Sequence, residues 1–496
     1  MGPVLAPTRR IVALCLSVAA AAVPSRATAE PGPHATTTRA SAPDPGQRAA
    51  AIGDDSFSPS ISADGQLVAF ASSSADLVPG DTNGGVDIFI HDRRSGLTER
   101  VSVASSGEQA VNRWGYFVQA QPSISSDGRF VAFSSQAMNL VTGGTSGESQ
   151  IYVRDRLLRT TELVSQSKVG GEPDDGSHGP SISGDGRFVA FSSDATDLVD
   201  GDDEGEGDVF IRNRQTAQTS RISIDRVGRG GDNDSWAPAM SADGAAVAFT
   251  TLATNLRDTP TAKRYSEVVV VHDFLRATNS QASVDDCAAW GQGIHAGKPA
   301  VSHDGRHVSY SKNCSASDWP TNVYIYDRDT QATELVSVDA DGSRPTESSL
   351  DSAVSGDGRY VAFWSSSSRM VRHDNNDLQD VFVRDRHLDT TYLASVSSTG
   401  DQARSLWGGG ITGGEVAISR DGMSVAFSTW ADGLTTDDFN NAFDIYVHQR
   451  FGSPCGDSPS PEGLVSRPAD RLAARAGDYE ADLDRANCSV VIGNGL

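Results

Sequence analysis

Pro180-Ser-Ile-Ser-Gly-Asp-Gly-Arg-Phe-Val-Ala-Phe191 reads as two short strands joined by a tight turn. Asp-Gly between strands signals a hairpin, because glycine accepts positive φ without steric cost and aspartate can bond the turn backbone. Working outward from this stretch, the pattern of a strand ending in Ser, a residue or two, Asp-Gly and an apolar strand returns along the chain. Its Asp-Gly pairs begin at Asp64, Asp127, Asp185, Asp243, Asp304, Asp357 and Asp421. Their mean spacing is about 60 residues, somewhat longer than most repeat architectures because the loops are long. Each pair is followed by a third strand, such as Asp87-Ile-Phe-Ile-His-Asp92 or Asp208-Val-Phe-Ile211, and then a fourth, such as Thr98-Glu-Arg-Val-Ser102. Every unit therefore predicts a four-stranded meander.

Runs such as Ile88, Phe89 and Ile90 are too apolar for a sheet with one wet face, so both faces need covering. Packing the units radially around a channel covers them all. The expected fold is all-β, a seven-bladed propeller of four-stranded antiparallel sheets spanning residues 30–450. The seventh unit has Asp444-Ile-Tyr-Val-His448, but Phe451-Gly-Ser-Pro454 breaks off where its fourth strand is due. At the other end, Thr36-Thr37-Thr38-Arg39-Ala40-Ser41 mirrors Thr160-Thr161-Glu162-Leu163-Val164-Ser165. The N-terminal segment is therefore expected to complete the last blade and leave no open seam.

The Pro180–Phe191 stretch, with Asp208-Val-Phe-Ile211 downstream, resembles the WD40-like propeller repeats of the TolB family, over roughly residues 36–450 and in register. The resemblance implies a propeller and a usual role in protein association. It departs from that family in two respects: the α/β domain that precedes the propeller there is absent here, and the blade count differs from the usual six.

Residues Met1 to Ala29 read as an export signal: Arg9 and Arg10 precede an apolar run from Ile11 to Val23, and Ala27-Thr28-Ala29 forms a small-x-small cleavage site. The mature chain is expected to begin near Glu30, with no transmembrane segment, to be secreted or periplasmic, and to be a monomer. The formal charge is −24, and loss of Arg9, Arg10 and Arg26 makes it more negative still. Such acidity repels phosphate backbones and argues against nucleic acid as a partner, while it suits calcium or a basic surface. Export leaves Cys287, Cys314, Cys455 and Cys488, an even set in an oxidising compartment. Pairing of Cys287 with Cys314 in blade five and of Cys455 with Cys488 in the tail is the simplest arrangement, although spacing alone leaves other connectivities open. The tail from residue 451 to 496 includes a linker-like stretch and a charged segment that could form a short helix.

In such a meander the loop leading into strand one and the loop joining strands two and three emerge on the same face. That face carries Trp114, Trp236, Trp290 and Trp407, residues of the type that anchor ligands. Plugs between blades are the alternative role for them. The same face carries a spaced acidic motif: Asp81, Asn83 and Asp87; Asp202, Glu204 and Asp208; Asp374, Asn376 and Asp380; Asp438, Asn440 and Asp444. Oxygen donors at alternate loop positions with a later carboxylate suit Ca²⁺, whereas Asx-turns and a strand cap would use the same residues without a metal. The other three units have Gln150, Glu267 and Asn322 at the final position.

No G-x-S-x-G nucleophile turn occurs, and Ser62-x-Asp64-Gly65 is one residue tighter than a sialidase box. His303 and His307 flank the blade-five turn and are expected at the surface. No nucleophile and base converge, so no catalytic residues are assigned. The expectation is a secreted, non-catalytic scaffold binding a protein, peptide or glycan on its loop face, with calcium supporting that face. The alternative is a lactonase-like hydrolase holding a metal in the central channel.

Overall fold

A computed structural model describes residues 35–43, 55–111, 120–202, 205–257, 266–283, 294–313, 320–404, 415–436, 438 and 442–450. The export signal and the tail beyond residue 450 lie outside them. The described chain forms seven four-stranded antiparallel sheets. In blade one the strands run Ser56–Ile61, Leu67–Ser72, Asp87–Asp92 and Leu97–Arg100 from the channel outward. Blades two to six repeat this order over residues 123–163, 177–221, 235–281, 295–335 and 349–393. Blade seven combines Val416–Ile418, Ser424–Thr429 and Asp444–Gln449 with Thr36–Arg39, which pairs antiparallel with the third strand from Thr36↔Gln449 to Arg39↔Tyr446.

The Ser-x-Asp-Gly turn explains why each unit folds back on itself. Ser62 Oγ donates to Asp64 Oδ1 at 2.6 Å and accepts the N–H of Leu67 at 2.9 Å, while Asp64 Oδ1 also accepts the N–H of Gln66. The same bonds form at Ser125, Ser183, Ser241, Ser302, Ser355 and Ser419. The glycine of every turn lies at φ between 69° and 73°, where other residues are strained. It is also a point of contact between blades: a Cβ on Gly186 would stand 2.1 Å from the Phe130 ring of blade two.

Backbone hydrogen bonds tie these turns to one another across six of the seven seams. Ala63 N–H donates to Ser126 O, Ser126 to Gly184, Gly184 to Ala242, Asp243 to His303, Gly356 to Arg420, and Arg420 back to Ala63, at 2.8–3.2 Å. The last of these joins blade seven to blade one. Apolar clusters fill the seams. Val131 and Phe133 meet Ile88 and Ile90 of blade one, while Ala132, Ile151 and Val153 on the opposite face meet Val189 and Phe191 of blade three. Ala426, Ile445 and Val447 of blade seven pack with Val68, Phe70 and Phe89 of blade one. A cross-strand aromatic pair such as Phe191–Phe210, with centroids 5.9 Å apart, recurs in six of the sheets. Such pairs add to plain area burial.

One expectation is corrected. His307 is not a surface residue: it is 8% exposed and lies under the turn of blade six, where a Cβ on Gly358 would come within 2.2 Å of its ring. It opens the second strand of blade five, the position held by Phe130 in blade two, and that position is covered by the next blade.

Gly186→Ala should cost about 3 kcal/mol in chemical denaturation, from left-handed strain plus overpacking on Phe130. Gly84→Ala, at φ 64° with open space around it, should cost only about 1 kcal/mol. A second expectation concerns His448, which bonds Thr37 Oγ1 at 2.9 Å. Burial lowers its pKa from an ordinary 6.5 to about 4, so the unfolded chain takes up this proton first as pH falls. Stability should therefore decline between pH 6.5 and 4, and His448→Gln should flatten that part of the denaturation-versus-pH curve relative to wild type.

Candidate functional site

The first strands of all seven blades line a central cavity of about 910 Å³. In five of them the pairing register slips, at Phe57/Ser60, His178/Ser181, Trp236/Ala239, Gly297/Ala300 and Leu350/Ser352. The residue at the slip has positive φ: Ser58 at 54°, Gly179 at 59°, Ala237 at 51°, Lys298 at 50° and Asp351 at 41°. Holding a non-glycine residue there costs on the order of 1 kcal/mol. The sequence reading missed these bulges. Their signal is Pro59, Pro180, Pro238 and Pro299, since proline inside a strand marks an edge or a bulge.

The bulge positions decide where the channel is open. Lys298 Nζ meets Asp351 Oδ1 at 2.7 Å across blades five and six. Gln121 Nε2 donates to Glu415 Oε1 at 3.0 Å, linking blade two to blade seven. In blades three and four the corresponding residues are Gly179 and Ala237, too short to reach across, and the cavity wall there includes His178, Asp194, Asp234 and Trp236. Asp234 Oδ1 accepts the Gly207 N–H at 2.9 Å. Burial raises the pKa of Asp194, with neighbouring His178 offsetting part of the rise. A half-buried indole beside carboxylates offers both an apolar face and hydrogen-bond acceptors. Trp236 thus lies on the channel wall, whereas Trp114, Trp290 and Trp407 fall outside the described residues, as do Cys287, Cys314, Cys455 and Cys488.

The acidic loops are arranged differently from a simple ring of cation ligands. Asp87 is fully buried at the start of the third strand and accepts the Ser102 hydroxyl at 2.5 Å. Asn83 turns its amide nitrogen to Asp87 at 2.8 Å, while its oxygen caps the Gly85 N–H. Arg100, opposite Phe89 in the sheet register, reaches Asp81 at 2.8 Å and Asp87 at 3.4 Å. In blade three Arg221, opposite Phe210, reaches Asp202 at 3.0 Å and Asp208 at 2.9 Å. In blade seven Arg39, opposite Tyr446, meets Asp444 at 2.7 Å with Asp438 adding its charge. A guanidinium thus bridges the acidic pair in blades one and three, and in blade seven it meets Asp444 while Tyr446 donates its hydroxyl to Asp438. Glu204 and Asn440 lie outside the described residues.

Blades two and five have a neutral amide at the same place. Gln150 and Asn322 accept the hydroxyls of Ser165 and Ser337 at 2.7 and 3.2 Å, and the arginine is replaced by Leu163 and Leu335. In blade four the position belongs to Val268, paired with Thr251, and not to Glu267 as the sequence reading had it. Glu267 sits one residue earlier and faces His295 at 3.5 Å. Among the described residues, no three His, Cys, Asp or Glu side chains are grouped so that they could hold a metal ion.

No protein-family model matches the chain, and no curated protein matches it. Its fold is similar to that of solved propellers. An oligogalacturonate lyase in complex with manganese is 11% identical at a TM-score of 0.50, covering 85% of this chain and 95% of that one. A second oligogalacturonate lyase, from Vibrio parahaemolyticus, is 12% identical at 0.48, over 83% and 93%. TolB from Acinetobacter baumannii is 11% identical at 0.36, over 74% and 77%. At these identities the likeness is one of fold.

Arg100→Leu should destabilise the protein by about 3 kcal/mol at neutral pH, because it leaves Asp81 and Asp87 buried without their counter-charge. Adding Asp87→Asn, which recreates the amide and leucine of blade five, should restore most of the loss in urea denaturation.

Proposed function

We propose that the protein is an exported, non-catalytic binding scaffold that takes a protein, peptide or glycan at the loop-face end of its channel. The carrying observation is the sector of blades three and four, where Gly179 and Ala237 leave the wall open beside Trp236, His178, Asp194 and Asp234. Strained backbone persists where the surrounding structure holds it, and it clusters at functional positions. The bulges at Ala237, Lys298 and Asp351 lie in the strands around this opening. Export rests on the reading of Met1 to Ala29. No helix of the described residues is long and apolar enough to cross a membrane. The protein acts as a monomer, and in blades one, three and seven guanidinium groups already meet the acidic loops.

A hydrolase of lactonase type would gather ligands from several blades around one ion. His178, Asp194 and Asp234 do not form such a group. The binding reading is tested on glycan and peptide arrays with wild type and Trp236→Ala. The expected result is a defined ligand class whose affinity falls at least about tenfold in the variant, the loss of one buried aromatic contact. Equal binding by both proteins, or turnover of the captured ligand, would count against it.

A further inference from the structure

Within the chain's own repeats, charge at two positions changes together. Where the third strand opens with aspartate in blades one, three and seven, the fourth strand carries an arginine opposite the third-strand aromatic, and where it opens with an amide in blades two and five, that residue is leucine. Blade six breaks the rule. It keeps Asp374 and Asp380, but the residue opposite Phe382 is Leu393.

The loop itself is built as in blade one. Gln109 accepts the Thr82 N–H at 3.1 Å and donates to Gly80 O, and Gln402 accepts the Asn375 N–H at 3.0 Å and donates to His373 O. Asn83 and Asn376 each donate to a backbone carbonyl, Ala110 and Ala403, at 3.3 Å. The positive charge is missing, and Asp380 Oδ2 lacks the counterpart of the Asn83 bond to Asp87. Asp380 is 0% exposed and Asp374 9%. Ser395 donates to Asp380 Oδ1 and Asn376 lies beside both carboxylates, yet Asp380 Oδ2 and both oxygens of Asp374 are buried without a partner in hydrogen-bond geometry. Two like charges held this way out of water are costly unless a cation joins them.

We propose that blade six binds a divalent cation of the Ca²⁺ class between the carboxylates of Asp374 and Asp380, in the place that an arginine guanidinium fills in blades one, three and seven. Two carboxylates supply up to four oxygens, with water able to complete the shell of a hard cation. Burial raises Asp374 to about 6 and Asp380 to about 7, with the charge of Asp374 adding to the rise at Asp380. The site does not depend on what the channel binds.

The test uses the exported full chain, stripped with EDTA, with Ca²⁺ alone as the probe. Millimolar CaCl2 should raise the melting temperature by about 2–5 °C, and calorimetric titration should show about one ion per chain responding to changes in this site. Leu393→Arg supplies the guanidinium of blade one; it should melt above wild type in EDTA and lose the calcium response. Asp380→Asn recreates the amide and leucine of blade five, a combination the fold already accommodates, and should also lose the response. No calcium shift in wild type, or an undiminished shift in Leu393→Arg or Asp380→Asn, would overturn the proposal. So would stability that rises on acidification and ignores Ca²⁺, because the two carboxylates would then be sharing a proton.

Discussion

A sheet that is apolar on both faces has no stable existence by itself, and this constraint governs the molecule. In each blade the second and third strands place alternate side chains on opposite faces, so Phe133 looks toward blade one and Ala132 toward blade three. Neither face can be left wet, so the blades must stand side by side until the last meets the first. The packing of Val447 and Ile445 on Val68 and Phe70 is that meeting. The propeller follows from the two-sided burial of short strands, with the turns setting the spacing of the sheets.

The same burial makes charge expensive at the edge of each seam, and the chain meets that cost locally. An aspartate at the head of the third strand caps it by receiving a serine hydroxyl, and its remaining charge is held by an arginine one strand out. In blades two and five, where leucine stands in the arginine's place, the acid is replaced by an amide, Gln150 or Asn322. Repeats within one chain thus act as controls for one another. They separate what most blades share, a side-chain hydrogen-bond acceptor at that place, from what only some possess, a negative charge; blade four, with Val268 there, has neither.

Much of the architecture was legible in the sequence because it rests on local, repeated chemistry. Asp-Gly fixes the turns, and apolar runs of fixed length require covered sheets. The candidate site was less legible. The acidic motif was read along the loop as a set of cation donors, although Asn83 turns its nitrogen to Asp87 and the counter-charge comes from Arg100, thirteen residues further on. That pairing was written in the sequence as a recurring interval, Asp87 with Arg100 and Asp208 with Arg221, but across a loop and a strand, where a local reading does not look. Blade four was misaligned by one residue at Glu267 because no acid or amide marks Val268. His307 was misplaced because a polar residue beside a turn reads as exposed until the neighbouring blade is in view. The channel wall was missed because the prolines that announce its bulges, inside the first strands, were not read as such.

The main-chain bonds that join corner to corner across six of the seven seams at the Asp-Gly end act as a nearly closed hoop. Because it is made of peptide groups, the identity of Ala63, Ser126 or Ala242 matters little to it, provided each corner keeps its shape, whereas a Cβ at Gly184 would stand 2.4 Å from Ser126 Oγ. Its circumference, however, is set by the number of corners. Deleting or duplicating one unit would change the girth at this end and force every remaining sheet to re-angle, whereas insertions at the opposite rim leave the hoop untouched. Evolution of this molecule is therefore freer in the length of its loops than in the number of its blades.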